Sequence, residues 1–321
     1  MKKLLALLLA AACAAPATGW AQAYPSKMIR LVVPYPAGGT TDIMARVLQE
    51  PLQKALGQTV LVENKPGAAG ALGAREVARA PADGHTLFFV NNGILSVTPQ
   101  VVKSAGFDGV KDFAPVALVS TAPMFVVVNG SVPATDVRSY VEYVKKQPQP
   151  VAYASAGIGS FGHLTSELFA RTAGLKMTHI PYKGQAATTN AVVSGEVGLL
   201  VTTASAAMNE FIASGRLHLL GVTSPEPSPL APGVPTVGAT LPGFTAESWF
   251  AILAPAGTPP QVVARLNAVI NETLGHEDIQ RRFLGFGVVA TTATPRRLAD
   301  MVAEDVARWA PVIRERAIST E

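Results

Sequence analysis

Two stretches of this chain put glycines and hydroxyls between an apolar strand and a helix, an arrangement suited to holding an anion. The first is Leu31-Val32-Val33-Pro34-Tyr35-Pro36-Ala37-Gly38-Gly39-Thr40-Thr41-Asp42-Ile43-Met44-Ala45-Arg46. Gly38 and Gly39 let the backbone turn tightly and approach a ligand closely. The first amides of a helix beginning near Thr41 have no intrahelical acceptor and lie at the positive end of its dipole. A carboxylate or phosphate fits such a seat. An ordinary strand-to-helix turn that holds nothing has the same appearance.

The second stretch is Tyr153-Ala154-Ser155-Ala156-Gly157-Ile158-Gly159-Ser160-Phe161-Gly162-His163, which contains a literal G-x-G-x-x-G at Gly157, Gly159 and Gly162. A dinucleotide site would need an acidic residue about 20 positions later to hold the ribose. That region reads Thr178-His179-Ile180-Pro181-Tyr182-Lys183 instead, so no cofactor is expected. Ser155-Ala156-Gly157 is half of a nucleophile elbow, but Tyr153 stands where the leading glycine belongs. An exported serine hydrolase using Ser155 or His163 is therefore the alternative function, with Ser160 as a helix cap and His163 in the first helical turn as the plainer reading. No H-E-x-x-H or paired-cysteine pattern occurs, so no metal site is indicated.

Facing each other across a cleft, the two turns would hold the two ends of a small dianion. Each hydrogen bond to a charged partner contributes about 1.5–3 kcal/mol, so several amides reach micromolar affinity without an arginine. Thr40, Thr41, Ser155 and Ser160 would add hydroxyl donors, while Tyr35 and Trp249 would wall the ligand's apolar middle. Helix caps and core packing are the competing roles for these residues. Asp42 either stabilises its own helix start or accepts hydrogen bonds from an amine or hydroxyl of the ligand, since a carboxylate beside an anion seat would otherwise repel the guest.

The elements that must position these groups come from a chain of 321 residues, 49% hydrophobic and 15% charged, ample for two domains. Residues 1–23 read as a signal peptide: Lys2 and Lys3, the apolar run Leu4 to Ala12, and the A-x-A site Ala21-Gln22-Ala23. The run is shorter than the roughly 20 residues a membrane span requires. Periplasmic export is expected. Cys13, the only cysteine, falls inside this leader; Ala10-Ala11-Ala12-Cys13 is a poor lipoprotein box, so a lipid anchor is the lesser expectation. Without Lys2 and Lys3 the chain has 24 basic and 22 acidic side chains, a net of +2. No basic run interleaved with aromatics exists, and no nucleic-acid partner is expected.

Beyond the leader, short apolar strands alternate with amphipathic helices, predicting an α/β architecture with largely parallel sheets. The first unit is a strand from Ile29 to Val33 and a helix from about Asp42 to Leu56 closed by Gly57, in which Pro51 should introduce a kink or a break. Two extended segments, Val116 to Asn129 and Ser248 to Pro255, could cross between domains. Near the end, helices are expected over Pro260 to Leu274 and Pro295 to Ile313, with a strand from Gly285 to Ala290 between them.

The motif Pro34-Tyr35-Pro36-Ala37-Gly38-Gly39-Thr40-Thr41-Asp42-Ile43-Met44-Ala45-Arg46 resembles the P-F-x-x-G-G-x-x-D-x-x-A-R motif of the Bug-type periplasmic receptors of tripartite tricarboxylate transporters. Further matches include Glu63-Asn64-Lys65-Pro66-Gly67-Ala68-Ala69-Gly70, Lys111-Asp112-Phe113-Ala114-Pro115-Val116, His179-Ile180-Pro181-Tyr182-Lys183-Gly184 and Ser248-Trp249-Phe250, so that the resemblance covers nearly the whole mature chain. It implies a two-domain periplasmic-binding fold of type II-like form, each domain a mixed sheet flanked by helices and the two joined by crossing strands. Domain I would be residues 24–122 and 250–321, and domain II residues 123–249. It further implies closure on a small organic carboxylate (a di- or tricarboxylate, an aromatic acid or an acidic amino acid) and delivery to a membrane permease; a monomer is expected, and a partner of a membrane sensor kinase could use the same fold.

The family's ligand contacts map onto Tyr35, Ala37, Gly38, Gly39, Thr40, Thr41 and Asp42, onto the loop after the third strand with Asn91 and Asn92, and onto Ser155, Gly157, Gly159 and Ser160; His163 joins them as a candidate. Tyr182, Thr203 and Trp249 complete the candidate set. The family usually has small or hydroxyl residues at the Asn91 and Asn92 positions, has Pro where Ala82 stands, and lacks Pro51. The asparagine pair is thus expected to bear on ligand choice.

Overall fold

The computed structural model describes residues 24–319. The predicted leader of residues 1–23, with its cleavage site and Cys13, lies outside the described residues. Strand β1 (Ile29–Val33) leads into helix α1 (Thr40–Leu56), followed by β2 (Val60–Asn64), α2 (Ala71–Ala78) and β3 (Thr86–Asn91). Met44, Ala45, Val47, Leu48, Leu52 and Leu56 form the buried face of α1, a helical spacing that packs it on the sheet. Of the kink or break expected at Pro51, the break does not occur: the proline removes one backbone donor, and the helix runs on through it.

A π-helical turn (Gly93–Val97) and the short α3 (Thr98–Val101) then lead to the long strand β4 (Phe113–Asn129). Next come α4 (Val137–Lys145), β5 (Val151–Ser155), α5 (Phe161–Thr172), β6 (Met177–Pro181), α6 (Gln185–Ser194), β7 (Leu199–Thr203), α7 (Ala206–Ala213) and β8 (Leu217–Val222). The chain closes with β9 (Glu247–Pro255), α8 (Pro260–Leu274), α9 (Glu277–Gly285), β10 (Val289–Ala290) and α10 (Pro295–Glu315). The strand expected from Gly285 to Ala290 is thus only two residues long. Ile279 and Phe283, four apart and buried, put the preceding segment on a helix instead.

The strands lie in the order β2-β1-β3-β9-β4-β7-β5-β6, with β8 and β10 also paired to β4. β1 is parallel to β2 and β3, and β5 is parallel to β6 and β7, but every pairing of β4 and β9 is antiparallel. The sheets are therefore mixed rather than largely parallel. β4 serves both halves: it pairs with β9 as far as Pro123 opposite Glu247, and from Met124 onward with β7 and β8. Pro123 cannot donate to a ladder, and it sits where the ladder changes partner; the next amide, of Met124, donates to Thr223 Oγ1 at 2.8 Å.

Helix α10 begins at Thr294, whose side chain accepts from the Arg297 amide, and buries Leu298, Val302, Asp305, Trp309 and Val312. Asp305 is the charged member of that stripe. Its Oδ2 accepts from Trp249 Nε1 at 2.9 Å and from Asn92 Nδ2 at 2.8 Å, tying α10 to β9 and to the turn after β3. Burial pushes its carboxyl above the usual range, against the pull of Asn92, Arg308 and Trp249. Asp305→Ala would leave two buried donors unpaired and should lower unfolding free energy by about 2–3 kcal/mol. Urea denaturation checks this, and an unchanged midpoint would contradict it.

Candidate functional site

The first glycine turn is held from behind. Gly38 has φ +86°, a left-handed conformation that a side chain would strain, and its N–H donates to Asp42 Oδ2 at 2.8 Å. Asp42 also accepts from Arg46 Nε at 3.0 Å and from Asn64 Nδ2 at 2.9 Å, and Asn64 Nδ2 reaches the Tyr35 carbonyl at 3.0 Å. Burial works against the Asp42 charge, but hydrogen bonds from Arg46, the Gly38 amide and Asn64 outweigh it and hold the carboxyl below its ordinary range. Of the two options left open for Asp42, the first holds: from the first turn of α1 its buried side chain fastens its own helix start and the glycine turn before it. The amides of Gly39, Thr40 and Thr41 have no protein acceptor among the described residues, and these residues line the cleft together with Tyr35 and Ala37.

Asn91 adds a donor. Its Oδ1 accepts from Tyr35 Oη at 2.7 Å and from the Ile94 amide at 3.3 Å, which fixes the orientation of the side-chain amide and leaves its NH2 group for the cleft. Burial holds the Tyr35 phenol protonated well above its ordinary range.

The second turn is also braced internally. Ser155 Oγ donates to the Gly157 carbonyl at 2.9 Å, and the Gly157 amide returns a bond to that Oγ at 3.2 Å. The Gly159 amide donates to His163 Nδ1 at 3.1 Å, which leaves the ring proton on Nε2, and Ser160 caps α5 by accepting from the His163 amide. Under the turn, the His163 and His179 rings stack with centroids 3.8 Å apart, and Tyr153 stacks on His179 at 5.0 Å. Burial, reinforced by His179, pushes the His163 pKa down to about 4, and burial likewise lowers His179. Ser155 Oγ lies 2.6 Å from His179 Nε2, a nucleophile-and-base distance that the sequence did not suggest. The hydroxyl is 1% exposed and engaged with Gly157, so the pair braces the turn rather than facing a substrate.

The two turns border one cleft of about 840 Å³. Four helices begin at it: α1 with Thr40 and Thr41, α5 with Phe161 and Gly162, α6 with Gln185 and Thr188, and α7 with Ser205 and Asn209. Their positive ends converge where the carboxyl ends of β1, β5 and β7 point, the usual position of a ligand in such sheets. Among the described residues that line the cleft, none is Asp, Glu, Lys or Arg. Ser160 and Thr203 also line it, as expected, and Gln185 Nε2 donates to the Thr203 carbonyl at 2.8 Å.

Several expected contacts lie elsewhere. Trp249 and Asn92 are corrections: strand alternation aims Ser248 and Phe250 into the cleft and Trp249 away from it, into the core beside Asp305, and Asn92 follows Trp249. Ser155, Gly157, Gly159 and His163 fall outside the lining and hold the second turn together through their hydrogen bonds, as Gly38 and Asp42 do in the first. Tyr182 is spent on Glu196, to which its hydroxyl donates at 2.8 Å. The α6 and α7 starts were missed although Gly184 and Ser205 carry the same strand-to-helix signal. The wall from Leu284 to Val288 carried none.

An α/β fold divided by shared strands, with helix N-termini converging on an uncharged cleft, defines a periplasmic-binding-type receptor for a small ligand. The profile described as tripartite tricarboxylate transporter family receptor matches residues 44–318, and the chain belongs to that family. Protein BugT of Bordetella pertussis is 36% identical over 321 residues, 98% of each chain. The structure of R. palustris Rpa4515 with adipate is 32% identical with TM-score 0.74, covering 92% of this chain and 99% of that one. MatC from Rhodopseudomonas palustris with bound malate is 31% identical with TM-score 0.71, covering 90% and 100%.

Asp42→Ala frees the Gly38 amide, Arg46 and Asn64 at once, so it should weaken binding of an acid about tenfold or more although Asp42 does not line the cleft; calorimetry on variant and parent measures this, and equal affinities would contradict it. His163 titrates near 6.5 when unfolded and at about 4 when folded. The unfolded chain therefore binds the extra proton between those values, and stability falls as pH drops through that window. At about 1.4 kcal/mol per pKa unit, His163 alone accounts for ~3 kcal/mol. Urea midpoints at pH 7.5 and 4.5 should differ less in His163→Gln than in the parent; identical differences would refute the assignment.

Proposed function

We propose that this chain is a periplasmic receptor that captures an organic carboxylate between its two glycine turns and delivers it to the membrane permease of a tripartite tricarboxylate transporter. The observation that carries this reading is the pair of helix starts, α1 and α5, presenting amides to one cleft that lacks charged side chains among the described residues. Bonds from amides to a carboxylate contribute about 1.5–3 kcal/mol each, so four or five of them match the roughly 8 kcal/mol of micromolar binding. The acids held by two relatives, adipate and malate, are both dicarboxylates, which supports the same chemistry here.

The leader-like residues 1–23 and the family membership support export to the periplasm. We assign residues 24–122 and 250–321 to one domain and 123–249 to the other, with the crossings at β4 and β9 as the hinge. Binding rather than catalysis accounts for a buried Ser155, and the chain acts as a monomer.

A thermal-shift and calorimetry panel of dicarboxylates, tricarboxylates, aromatic acids and amino acids tests the reading, and silence across it would overturn it. Gly39→Val separates site from fold. Gly39 has φ −78°, and a Cβ there would meet only the Pro36 carbonyl, at 3.6 Å, so the fold should tolerate valine while its methyls occupy the seat. The variant should melt with the parent yet lose at least about 1.4 kcal/mol of affinity, tenfold; undiminished affinity would remove the first turn from the site.

A further inference from the structure

We propose that Glu167 and Arg316 are positioning residues for the second turn: their ion pair fastens the end of α10 to α5 and, through Tyr153, fixes the direction in which the loop from Gly157 to Ser160 presents its amides. The proposal rests on the carboxylate reading above and adds to it two groups that lie outside the cleft lining.

Helix α10 reaches both halves of the sheet. At Asp305 it holds Asn92 and Trp249, on the side that carries the first turn. Its far end, about 16 Å further along at ~1.5 Å per residue, lies against α5, which starts at the second turn. Trp309 stands edge-on to Phe161 with ring centroids 5.2 Å apart, and Phe161 lines the cleft. Two helical turns later Arg316 Nε lies 2.7 Å from Glu167 Oε2, and the neighbouring Glu315 Oε1 lies 3.2 Å from Arg171 Nη2. The two pairs run in opposite senses, so exchanging their partners would set glutamate beside glutamate and arginine beside arginine. The helix end that carries them is held as well. Ala317 is left-handed at φ +48°, and the amide of the buried Ile318 donates to the Ile313 carbonyl at 2.9 Å.

Burial separates the two pairs. Arg171 and Glu315 are each about half exposed, so water screens their attraction. The Glu167 side chain is 9% exposed, and its carboxylate is shared: Oε2 faces Arg316, while Oε1 accepts from Tyr153 Oη at 2.5 Å. Tyr153 is fully buried, and its ring stacks on His179, which stacks on His163. Those two imidazoles hold the turn, His179 through Ser155 Oγ and His163 through the Gly159 amide. Without the guanidinium, the buried carboxylate loses its cation and turns toward water, which withdraws the acceptor from a buried phenol. The ring at the base of the stack then shifts, and the turn shifts with it. Amides bind an anion well only when they are aimed beforehand.

The test combines calorimetry with adipate and malate, melting temperature, and nitrogen-15 amide shifts of the ligand-free protein. Arg316→Met should weaken whichever acid binds by about fivefold or more and displace the Gly157 and Gly159 amide signals, while the Gly39 signal stays in place. Arg316→Lys, which keeps a cation beside Glu167, should return affinity to within about twofold of the parent. Arg171→Met, at the exposed pair, should also stay within about twofold. In a Glu167→Gln background the Arg316→Met change should cost less than about twofold, because no buried charge is left to release, and this comparison decides the matter if the single variant melts early. An Arg316→Met protein that melts lower but keeps the parent's affinity and second-turn signals would overturn the proposal, as would an equal loss in Arg171→Met. If the parent binds no acid of the panel above, the carboxylate reading falls, and the ligand-free amide shifts still decide whether the pair positions the turn.

Discussion

The hydrogen bond from the Gly38 amide to Asp42 is the constraint on which the site depends. A glycine turn is flexible in isolation, and an anion seat made of flexible amides would lose to entropy what it gains on binding. Asp42 removes that freedom by drawing the Gly38 N–H inward, and Arg46 and Asn64 hold the carboxylate in place from the next helical turn and from β2. With Gly38 turned in, Gly39, Thr40 and Thr41 face out. The spacing G-G-x-x-D-x-x-x-R therefore has a mechanical meaning: the acid lies one helical turn before the arginine that pins it.

The second turn reaches the same end by other means. Where the first uses an ion pair, the second uses a neutral stack of Tyr153, His179 and His163, with ring nitrogens accepting or sharing bonds with Gly159 and Ser155. Both supports keep formal charge out of the cleft, whose lining offers amide dipoles and helix ends instead. Behind them, Asp305 joins β9, the turn after β3 and α10, so that Asn91 and Ser248, which reach the cleft, are placed by neighbours that do not.

Much of this was legible in the residues. Strand, glycine turn and helix could be read at Leu31 to Arg46 and at Tyr153 to Ala173 because apolar periodicity changes there and glycine marks the change. The two crossing segments were visible as extended apolar runs. What could not be read was the side of a strand each residue faces. Trp249 and Phe250 are adjacent and equally apolar, and only the register of β9 against β3 and β4 decides that Phe250 sees the cleft. The same holds for Asn91 and Asn92, which share a side chain but not a direction. The Leu284 to Val288 wall escaped because its role comes from tertiary contact with Ala204, and Ser155 with His179 because they are distant in sequence and meet only through the parallel pairing of β5 and β6.

The central claim, that uncharged amides of the first turn hold the carboxylate, is tested most directly by amide nitrogen-15 NMR of the labelled protein titrated with adipate and with terephthalate. The account predicts that the Gly39, Thr40 and Thr41 amides shift together and saturate at one ligand per chain, while the Gly38 amide, committed to Asp42, moves little. Shifts confined to other regions, with Gly39 to Thr41 unmoved at saturation, would contradict it.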